Sequence, residues 1–284
     1  MALACASPPN EAPPSGADPA PRASGTTAQR AGAVASEAAA SAPTPSAPAS
    51  RRAEPDCPAD MAKIPDASFV VAADSPRARD QASTRVEAYC LDRTEVTTES
   101  YVACVTSGRC PEPLRGGSCT YERAGTAKQP INCVGFRAAQ AYCESRGTRL
   151  PTEAEWESAA GRGVRAYPWG DDPPGKGVCW DGAENALGYG KRHDSCAVGT
   201  FADDVTPEGV MDLGGNVTEW TVPEGSPEQR DIDQRAVRRG GTWGTKSGPY
   251  LLRTTSRRVG DYRPYESGIF TGFRCAMDLP GRTP

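Results

Sequence analysis

Eleven cysteines and one histidine are the side chains of this 284-residue chain that suit a soft metal or a nucleophile. The stretch "HDSC", His193 to Cys196, places an imidazole base close to a thiol, an arrangement that activates a nucleophile. Cys179 and Cys196 form a candidate copper pair, because Cu(I) prefers two thiolate ligands. The CxxC spacing of zinc sites is absent from the sequence. Either candidate chemistry requires cysteines that are not bridged.

The number and spread of the cysteines favour bridges over free thiols. Apart from Cys5, ten cysteines lie between Cys57 and Cys275, and an even number spread through one domain is typical of a disulfide framework. Such frameworks form in oxidising compartments, so we expect an extracytoplasmic protein, in the periplasm, at the outer envelope or secreted. Spacing alone leaves the connectivity open, although short separations favour three pairs. These are Cys104 with Cys110, Cys119 with Cys133, and Cys179 with Cys196.

The N-terminal region has the composition of a tether. "MALACASPP" is similar to the end of a lipoprotein signal, which makes Cys5 a candidate for a lipid anchor; an incidental cysteine in an Ala-rich start is the alternative. Residues 1–55 are rich in Ala, Pro and Ser and predict a signal remnant followed by a disordered linker. We expect residues 57–284 to form a single domain. No stretch of the sequence approaches the roughly 18 apolar residues of a membrane-spanning helix.

The charge of the chain argues against polyanionic partners. A formal net charge of −4 and a pI near 5.3 provide no positive field to attract nucleic acid or an anionic membrane. Two local arginine pairs, Arg238-Arg239 and Arg257-Arg258, are expected to be solvated or paired with carboxylates rather than to form a binding site.

Three short helices should position the central cysteines. "TTESYVACVTSG" predicts the first, with Thr97 or Thr98 as its N-cap. "GFRAAQAYCESRG" predicts the second, with Cys143 on its apolar face and Gly147 as its stop. "PTEAEWESAAGRG" predicts the third, which begins with a capping box of Thr152 and Glu155. Irregular, Gly- and Pro-rich sequence follows, so the class is α+β with much coil.

Several ordered motifs resemble the formylglycine-generating enzyme family, also called the sulfatase-modifying factor family. They are "EVTTESYVACV", "PINCVGFRAAQAYC", "RLPTEAEWESAAGRG" with "YPWGDD", "GVMDLGGNVTEWT", and "VRRGGTW" with "TGFRCA". The resemblance runs from about Met61 to Met277. It implies the family's variant of the C-type-lectin-like fold, an α+β fold with little regular secondary structure, here rich in disulfides.

The sequence departs from the family where the family's chemistry is done. Enzymes of the family oxidise a sulfatase cysteine to formylglycine with oxygen and a copper ion held by two cysteines, and those positions fall on Gly244 and Pro249 here. Neither residue offers a thiolate, so we expect no copper site. Another branch of the family binds iron through three histidines, whereas this chain has only His193. Thr218 also replaces a tryptophan that is usual in the family.

The resemblance further implies one bridge and two calcium sites. It pairs Cys143 with Cys275, which would leave Cys57 for Cys90. It places one calcium ion on the carboxylates of Asp212 and Glu219 with the carbonyls of Gly215 and Val217. Oxygen ligands around a Gly-Gly turn suit calcium, although these two acids could instead cap turns or pair with arginines. A second, weaker set comprises Asn185, Ala186, Asp194 and Cys196.

Two classes of function follow from these observations. In the first, the domain has lost the copper cysteines and binds a protein, peptide or glycan ligand at the cell envelope, as a monomer, through loops on a rigid base. In the second, it remains a formylglycine-generating oxidase and uses another cysteine pair. The loss of both family cysteines favours the first.

Overall fold

The computed structural model of the protein describes residues 56–70, 83–161, 164–182, 190–223, 236–246, 248–259 and 268–279. The predicted tether, residues 1–55 with Cys5, lies outside the described residues. In the described ranges, no helix combines the length and the apolar character needed to cross a bilayer.

The three predicted helices are present, and the first and third begin at their predicted caps. Helix α1 spans Thr98–Thr106, and the Thr97 side chain accepts a hydrogen bond from the Ser100 amide. Helix α2 spans Phe136–Ser145 and is followed by Gly147 at φ 72°. Helix α3 spans Glu153–Ala160 and has the full capping box between Thr152 and Glu155. Local side-chain hydrogen bonds therefore set where α1 and α3 start, whereas α2 starts at Gly135 without a side-chain cap.

Nine short strands form three sheets around these helices. The strands are β1 Met61–Ile64, β2 Ala67–Val70, β3 Ser83–Val86, β4 Tyr89–Asp92, β5 Thr218–Thr221, β6 Val237–Arg239, β7 Arg257–Val259, β8 Thr271–Gly272 and β9 Ala276–Asp278. The sheet orders are β1-β4-β9, β2-β3 and β7-β6-β5-β8, and the only parallel pairing among these strands joins β5 to β8. Most connections are irregular, which confirms the α+β class with little regular secondary structure.

The core is divided into small clusters instead of one large layer. The largest surrounds α1 and α2, where the rings of Tyr101 and Tyr142 stack with centroids 5.5 Å apart and both contact Phe273. A second cluster packs α3, through Trp156, against strands β1 and β4. Cross-links supplement these clusters.

All ten cysteines of the described residues form disulfides. The pairs are Cys57–Cys90, Cys104–Cys110, Cys119–Cys133, Cys143–Cys275 and Cys179–Cys196. The structure thus contains the three short-range pairs favoured by spacing, the Cys143–Cys275 pair implied by the resemblance, and the remaining pair, Cys57–Cys90. Cys143–Cys275 spans 132 residues and ties α2 to the segment before β9.

Removing the long-range bridge should destabilise the domain more than removing a short one. In the chain-entropy view, a bridge stabilises by restricting the unfolded chain, and the restriction grows with loop length. We expect Cys143→Ser/Cys275→Ser to lower the free energy of unfolding by about 5 kcal/mol and Cys104→Ser/Cys110→Ser by about 2 kcal/mol. Guanidinium unfolding of both variants measures the difference. Equal losses would contradict the entropic account.

Candidate functional site

Gly244 and Pro249, the two positions where the family resemblance predicts copper cysteines, lie between β6 and β7. Gly244 belongs to a turn after β6, and Pro249 opens a 3-10 helix, Pro249–Leu252. A Cβ atom added at Gly244 would overlap the ring of Phe270. A larger side chain at residue 244 would therefore collide with an aromatic ring, and Pro249 has no side-chain donor for a metal.

Phe270 is held at this position from two sides. Its ring centroid lies 4.7 Å from that of Trp243. Its backbone carbonyl accepts hydrogen bonds from the Thr218 hydroxyl at 3.0 Å and the Thr218 amide at 2.8 Å. Thr218, which replaces the usual tryptophan, is fully buried. Two departures from the family motifs, at residues 218 and 244, thus meet at one aromatic side chain.

The candidate thiol chemistry is contradicted by the bridge between Cys179 and Cys196. This disulfide is buried against Val217 and Trp243. The Nη1 atom of Arg192 lies 2.9 Å from the Cys196 Sγ, while His193 is exposed. The "HDSC" stretch therefore contains no free nucleophile, and Cys179 and Cys196 do not form a copper pair as long as they are bridged. The disulfide predicted from the short spacing is confirmed, and the two alternatives, a nucleophilic thiol and a copper pair, are wrong.

The ordered motifs, the fold around them and a family match now agree. Residues 46–279 match the family described as "Sulfatase-modifying factor enzyme 1-like domain". The chain belongs to the formylglycine-generating enzyme family. The fold is accordingly the family's variant of the C-type-lectin-like fold.

Both non-catalytic and catalytic proteins are among the similar sequences. The chain is 35% identical over 168 residues to the Bos taurus "Inactive C-alpha-formylglycine-generating enzyme 2", a match that covers 55% of this chain and 52% of the relative. It is 34% identical to the Thermomonospora curvata "Formylglycine-generating enzyme" (52% and 55% covered) and 31% identical to the Mycobacterium tuberculosis "Hercynine oxygenase" (60% and 43%). The chain spans about half the length of the curated relatives it matches.

Solved structures support the fold alone. PvdO from Pseudomonas aeruginosa superposes with a TM-score of 0.55 at 21% identity, covering 77% of this chain and 94% of PvdO. Treponema denticola variable protein 1 gives a TM-score of 0.56 at 20% identity with the same two coverages. At such identities the likeness extends to the backbone arrangement and not to the activity.

The predicted calcium ligand Glu219 already has strong partners in the structure. Both of its oxygens accept hydrogen bonds from Arg274, Nε at 2.8 Å and Nη2 at 2.7 Å, and Oε2 also accepts one from the Trp156 Nε1 at 2.9 Å. Arg274 further donates to the carbonyls of Asp92 and Met211. All these side chains are buried, so Glu219 does form the arginine pair that was the alternative to calcium binding.

Asp212, the other carboxylate predicted to bind calcium, is buried close to further acidic side chains. Its Oδ2 accepts a hydrogen bond from the Gly199 amide at 2.6 Å. Burial raises the pKa of Asp212 to about 6. Burial, followed by the charge of Asp212, raises the pKa of Asp204 to about 7, although Asp204 accepts hydrogen bonds from the amides of Gly214 and Gly215. A cation would relieve this accumulation of negative charge.

Glu95, which was not predicted from the sequence motifs, is another buried carboxylate close to Asp212. It is 1% exposed, and neither of its carboxylate oxygens has a hydrogen-bond donor. Burial and then the charge of Asp212 raise its pKa well above the ordinary value. A proton on Glu95 could be donated to Asp212, and a bound cation could replace that proton. Because calcium accepts carboxylate and carbonyl oxygens in flexible geometry, Glu95 and Asp212 fit such an ion better than Glu219 does.

The rest of the predicted calcium ligands give less support. In the described ranges, no group of three or more His, Cys, Asp or Glu side chains has the arrangement of a metal centre. Asn185 and Ala186 lie outside the described residues. Asp194 pairs with Arg123 at 2.5 Å and accepts a hydrogen bond from the Ser195 amide, while the Cys196 amide donates to Asn216. Asp194 therefore has other partners, and its set remains the weaker prediction.

The bridged cysteines generate a direct prediction about thiols. In the full chain with Cys5→Ser, thiol titration after denaturation without reductant should detect no free thiol, because all ten remaining cysteines are paired. Competition with a Cu(I) chelator should accordingly show no copper retained by the protein. The fully reduced protein, with ten thiols, is the positive control. Two thiols that map to Cys179 and Cys196 would restore the copper alternative.

Proposed function

We propose that this domain is a non-catalytic member of its family that binds a protein, peptide or glycan ligand outside the cytoplasm. The observation that carries the proposal is the ring of Phe270 packed against Gly244, a position where the sequence predicts a copper ligand of the family, in a domain whose described cysteines are all bridged. Copper(I) oxidation chemistry needs a thiolate pair at this place, and neither Gly244 nor Pro249 supplies one. Similarity to a relative described as inactive supports the same reading.

Exposed aromatic side chains flank the altered positions and give the proposed ligand a surface. Phe270 packs on Gly244 and remains 37% exposed, and Tyr250 packs on Gly248 and is 55% exposed. Aromatic rings offer large contact areas with little loss of conformational entropy, which makes them frequent in binding surfaces. The Cys179–Cys196 bridge fixes the base under Trp243 and Phe270. Rigid support of this kind lowers the entropic cost of binding.

The disulfides and the tether support the proposed location. Five bridges in one domain require an oxidising compartment to form and persist. A linker with an anchor at Cys5 would hold the domain at an envelope surface, where it acts as a monomer on its ligand. This arrangement involves no nucleic acid.

The oxidase alternative is tested by direct assay. We expect no formylglycine, measured by mass spectrometry, when the chain is incubated with copper, oxygen, a thiol reductant and a cysteine-containing sulfatase peptide. The Thermomonospora curvata formylglycine-generating enzyme is the positive control for the assay. Copper-dependent formation of formylglycine by this chain would overturn the non-catalytic proposal.

The binding proposal is tested by selection from a random peptide library and a glycan array. A ligand of the proposed surface should lose at least about tenfold in affinity on Tyr250→Ser or Phe270→Ser, because truncating an aromatic anchor costs about 1–2 kcal/mol or more. Val70→Ser, a change at an exposed apolar residue of β2, is the matched control and should leave affinity unchanged. Equal losses in all three variants, or no ligand in either library, would count against the proposal.

We further propose a structural calcium ion held by Asp212 with the carbonyls of Gly215 and Val217 and with Glu95. Glu219 was the sequence-based ligand, and its bond to Arg274 makes it a positioning group instead. An ion that binds only the folded state raises the melting temperature. We expect calcium to raise the melting temperature relative to a chelator, and Asp212→Asn to remove most of the rise. Asp194→Asn should retain it, and identical melting curves of the parent in calcium and in chelator would exclude the site.

A further inference from the structure

The disulfide between Cys179 and Cys196 has a positive charge in contact with one of its sulfurs. The Nη1 atom of Arg192 lies 2.9 Å from the Cys196 Sγ. The same guanidinium donates from Nε to the Trp180 carbonyl at 3.1 Å, and its Cζ lies 5.5 Å from the centroid of the Phe201 ring. Because an arginine side chain stays protonated in proteins, the charge beside this sulfur is permanent.

The main chain at Arg192 is fixed by a buried carboxylate. The Oδ1 of Asp181 accepts a hydrogen bond from the Arg192 backbone amide at 2.8 Å, and its Oδ2 lies 3.6 Å from the Lys246 Nζ. Asp181 is fully buried. Its contact therefore holds the backbone from which the guanidinium reaches the sulfur.

A buried amide lies beside the other sulfur of the bridge. The Oδ1 of Asn216 lies 3.5 Å from the Cys179 Sγ and accepts a hydrogen bond from the Cys196 amide at 2.9 Å. The side chain is fully buried, and its Nδ2 has no hydrogen-bond acceptor among the described residues. A buried donor without an acceptor is uncommon in folded proteins, and a role in redox chemistry is one explanation for it. A thiolate at Cys179 would supply an acceptor.

We propose that Cys196 is a thiol-exchange site, at which an external low-molecular-weight thiol opens the bridge and forms a mixed disulfide. The incoming thiolate attacks the Cys196 Sγ, and the bond between the two cysteine sulfurs breaks. The electron pair of that bond leaves with the Cys179 Sγ, which becomes a thiolate. One S–S bond replaces another, so the step needs no further oxidant or reductant.

The surroundings of the bridge determine which sulfur is attacked. Cys196 is 9% exposed and Cys179 is 1% exposed, and exchange requires access to the attacked sulfur. The guanidinium of Arg192 attracts the incoming thiolate and stabilises the negative charge that the sulfurs share during exchange, as a neighbouring cation does for a thiolate. The Nδ2 of Asn216 then donates to the thiolate that is released.

Opening the bridge would remove support from the proposed ligand surface. The disulfide packs against Trp243, and Trp243 contacts Phe270. The Trp243 amide also donates to the Asn216 carbonyl at 2.6 Å, which joins the ring to the amide beside the bridge. We expect a looser surface that binds its ligand more weakly, because rigid support lowers the entropic cost of binding. This consequence rests on the proposed function, whereas the exchange itself does not.

The exchange is tested with reduced glutathione on the folded full chain carrying Cys5→Ser. At early times, after acid quenching and alkylation with N-ethylmaleimide, peptide mapping should find glutathione on Cys196 and the alkyl group on Cys179. The bridge Cys119–Cys133 is the internal reference, since its separation of 14 residues and the 8% exposure of Cys119 resemble the 17 residues and 9% of the proposed site. Glutathione on Cys179, or equal opening of the two bridges, would overturn the proposal.

Substitutions of arginine test the source of the reactivity. Arg192→Gln should slow the opening by about tenfold relative to the reference bridge of the same variant, because a contact to a charged group is lost. Arg192→Lys keeps the charge and should retain most of the rate. Local loosening would expose the bridge and accelerate its opening, so damage to the structure does not produce a slower rate. An Arg192→Gln rate equal to or above that of the parent would contradict the proposal.

Arg109→Gln is the matched control for these variants. Arg109 is next to the bridged Cys110 in sequence, but its guanidinium donates to the Ser107 hydroxyl and the Ser145 carbonyl. This substitution removes one positive charge from the chain and should leave the opening of the Cys179–Cys196 bridge unchanged. Equal slowing by Arg109→Gln and Arg192→Gln would indicate a general effect of net charge and would overturn the assignment to Arg192.

Amide hydrogen exchange tests the link to the surface without any ligand. Residues 241–245 and 268–271 should exchange faster in the glutathione-modified protein than in the parent, while α1 should be unchanged. Unchanged exchange at residues 241–245 would show that the bridge does not support the surface. Because no ligand takes part, these results stand apart from the outcome of the library selections that test the proposed function.

Discussion

The buried ion pair between Glu219 and Arg274 is the interaction on which the arrangement of this domain depends. It joins β5 to the segment before β9, while Arg274 also binds the carbonyls of Asp92 and Met211. Trp156 of α3 donates to the same carboxylate. Removing one partner of such a pair leaves an uncompensated buried charge, which typically costs about 3–5 kcal/mol. Residues at five places in the chain thus meet at one charge pair, and they cannot shift independently.

This constraint explains how a domain with so little regular structure keeps a defined site. The strands are two to four residues long, so the hydrogen bonds between strands fix only a few of the contacts in the domain. Side-chain hydrogen bonds, ion pairs and five bridges provide the remaining order. The base below Gly244 is one example, where the Cys179–Cys196 disulfide packs against Trp243 and Trp243 contacts Phe270. Function can then change at a few exposed positions while the base is retained, which is the general behaviour of scaffolds that carry sites on loops.

Much of the fold could be predicted because its signals are local or carried by ordered motifs. The capping box at Thr152 and the bridge from Cys104 to Cys110 depend on residues close in sequence. The ordered motifs predicted the family's fold and the bridge from Cys143 to Cys275. Contacts between distant residues that no motif records were missed. The insertion of Phe270 at Gly244 and the approach of Glu95 to Asp212 belong to this class, since neither residue type by itself indicates its partner.

The pairing of β9 with β4 has a consequence for how the protein is made. The middle strand of the first sheet forms near the start of the domain, and one of its two neighbours, Ala276–Asp278, is among the last described residues. Cys275, in the same terminal stretch, closes the longest bridge. Contacts between residues so far apart in sequence form slowly and only once both are present. The domain therefore cannot complete its first sheet until residues 276–278 have been made, and Cys143 has no bridge partner until Cys275 has been made.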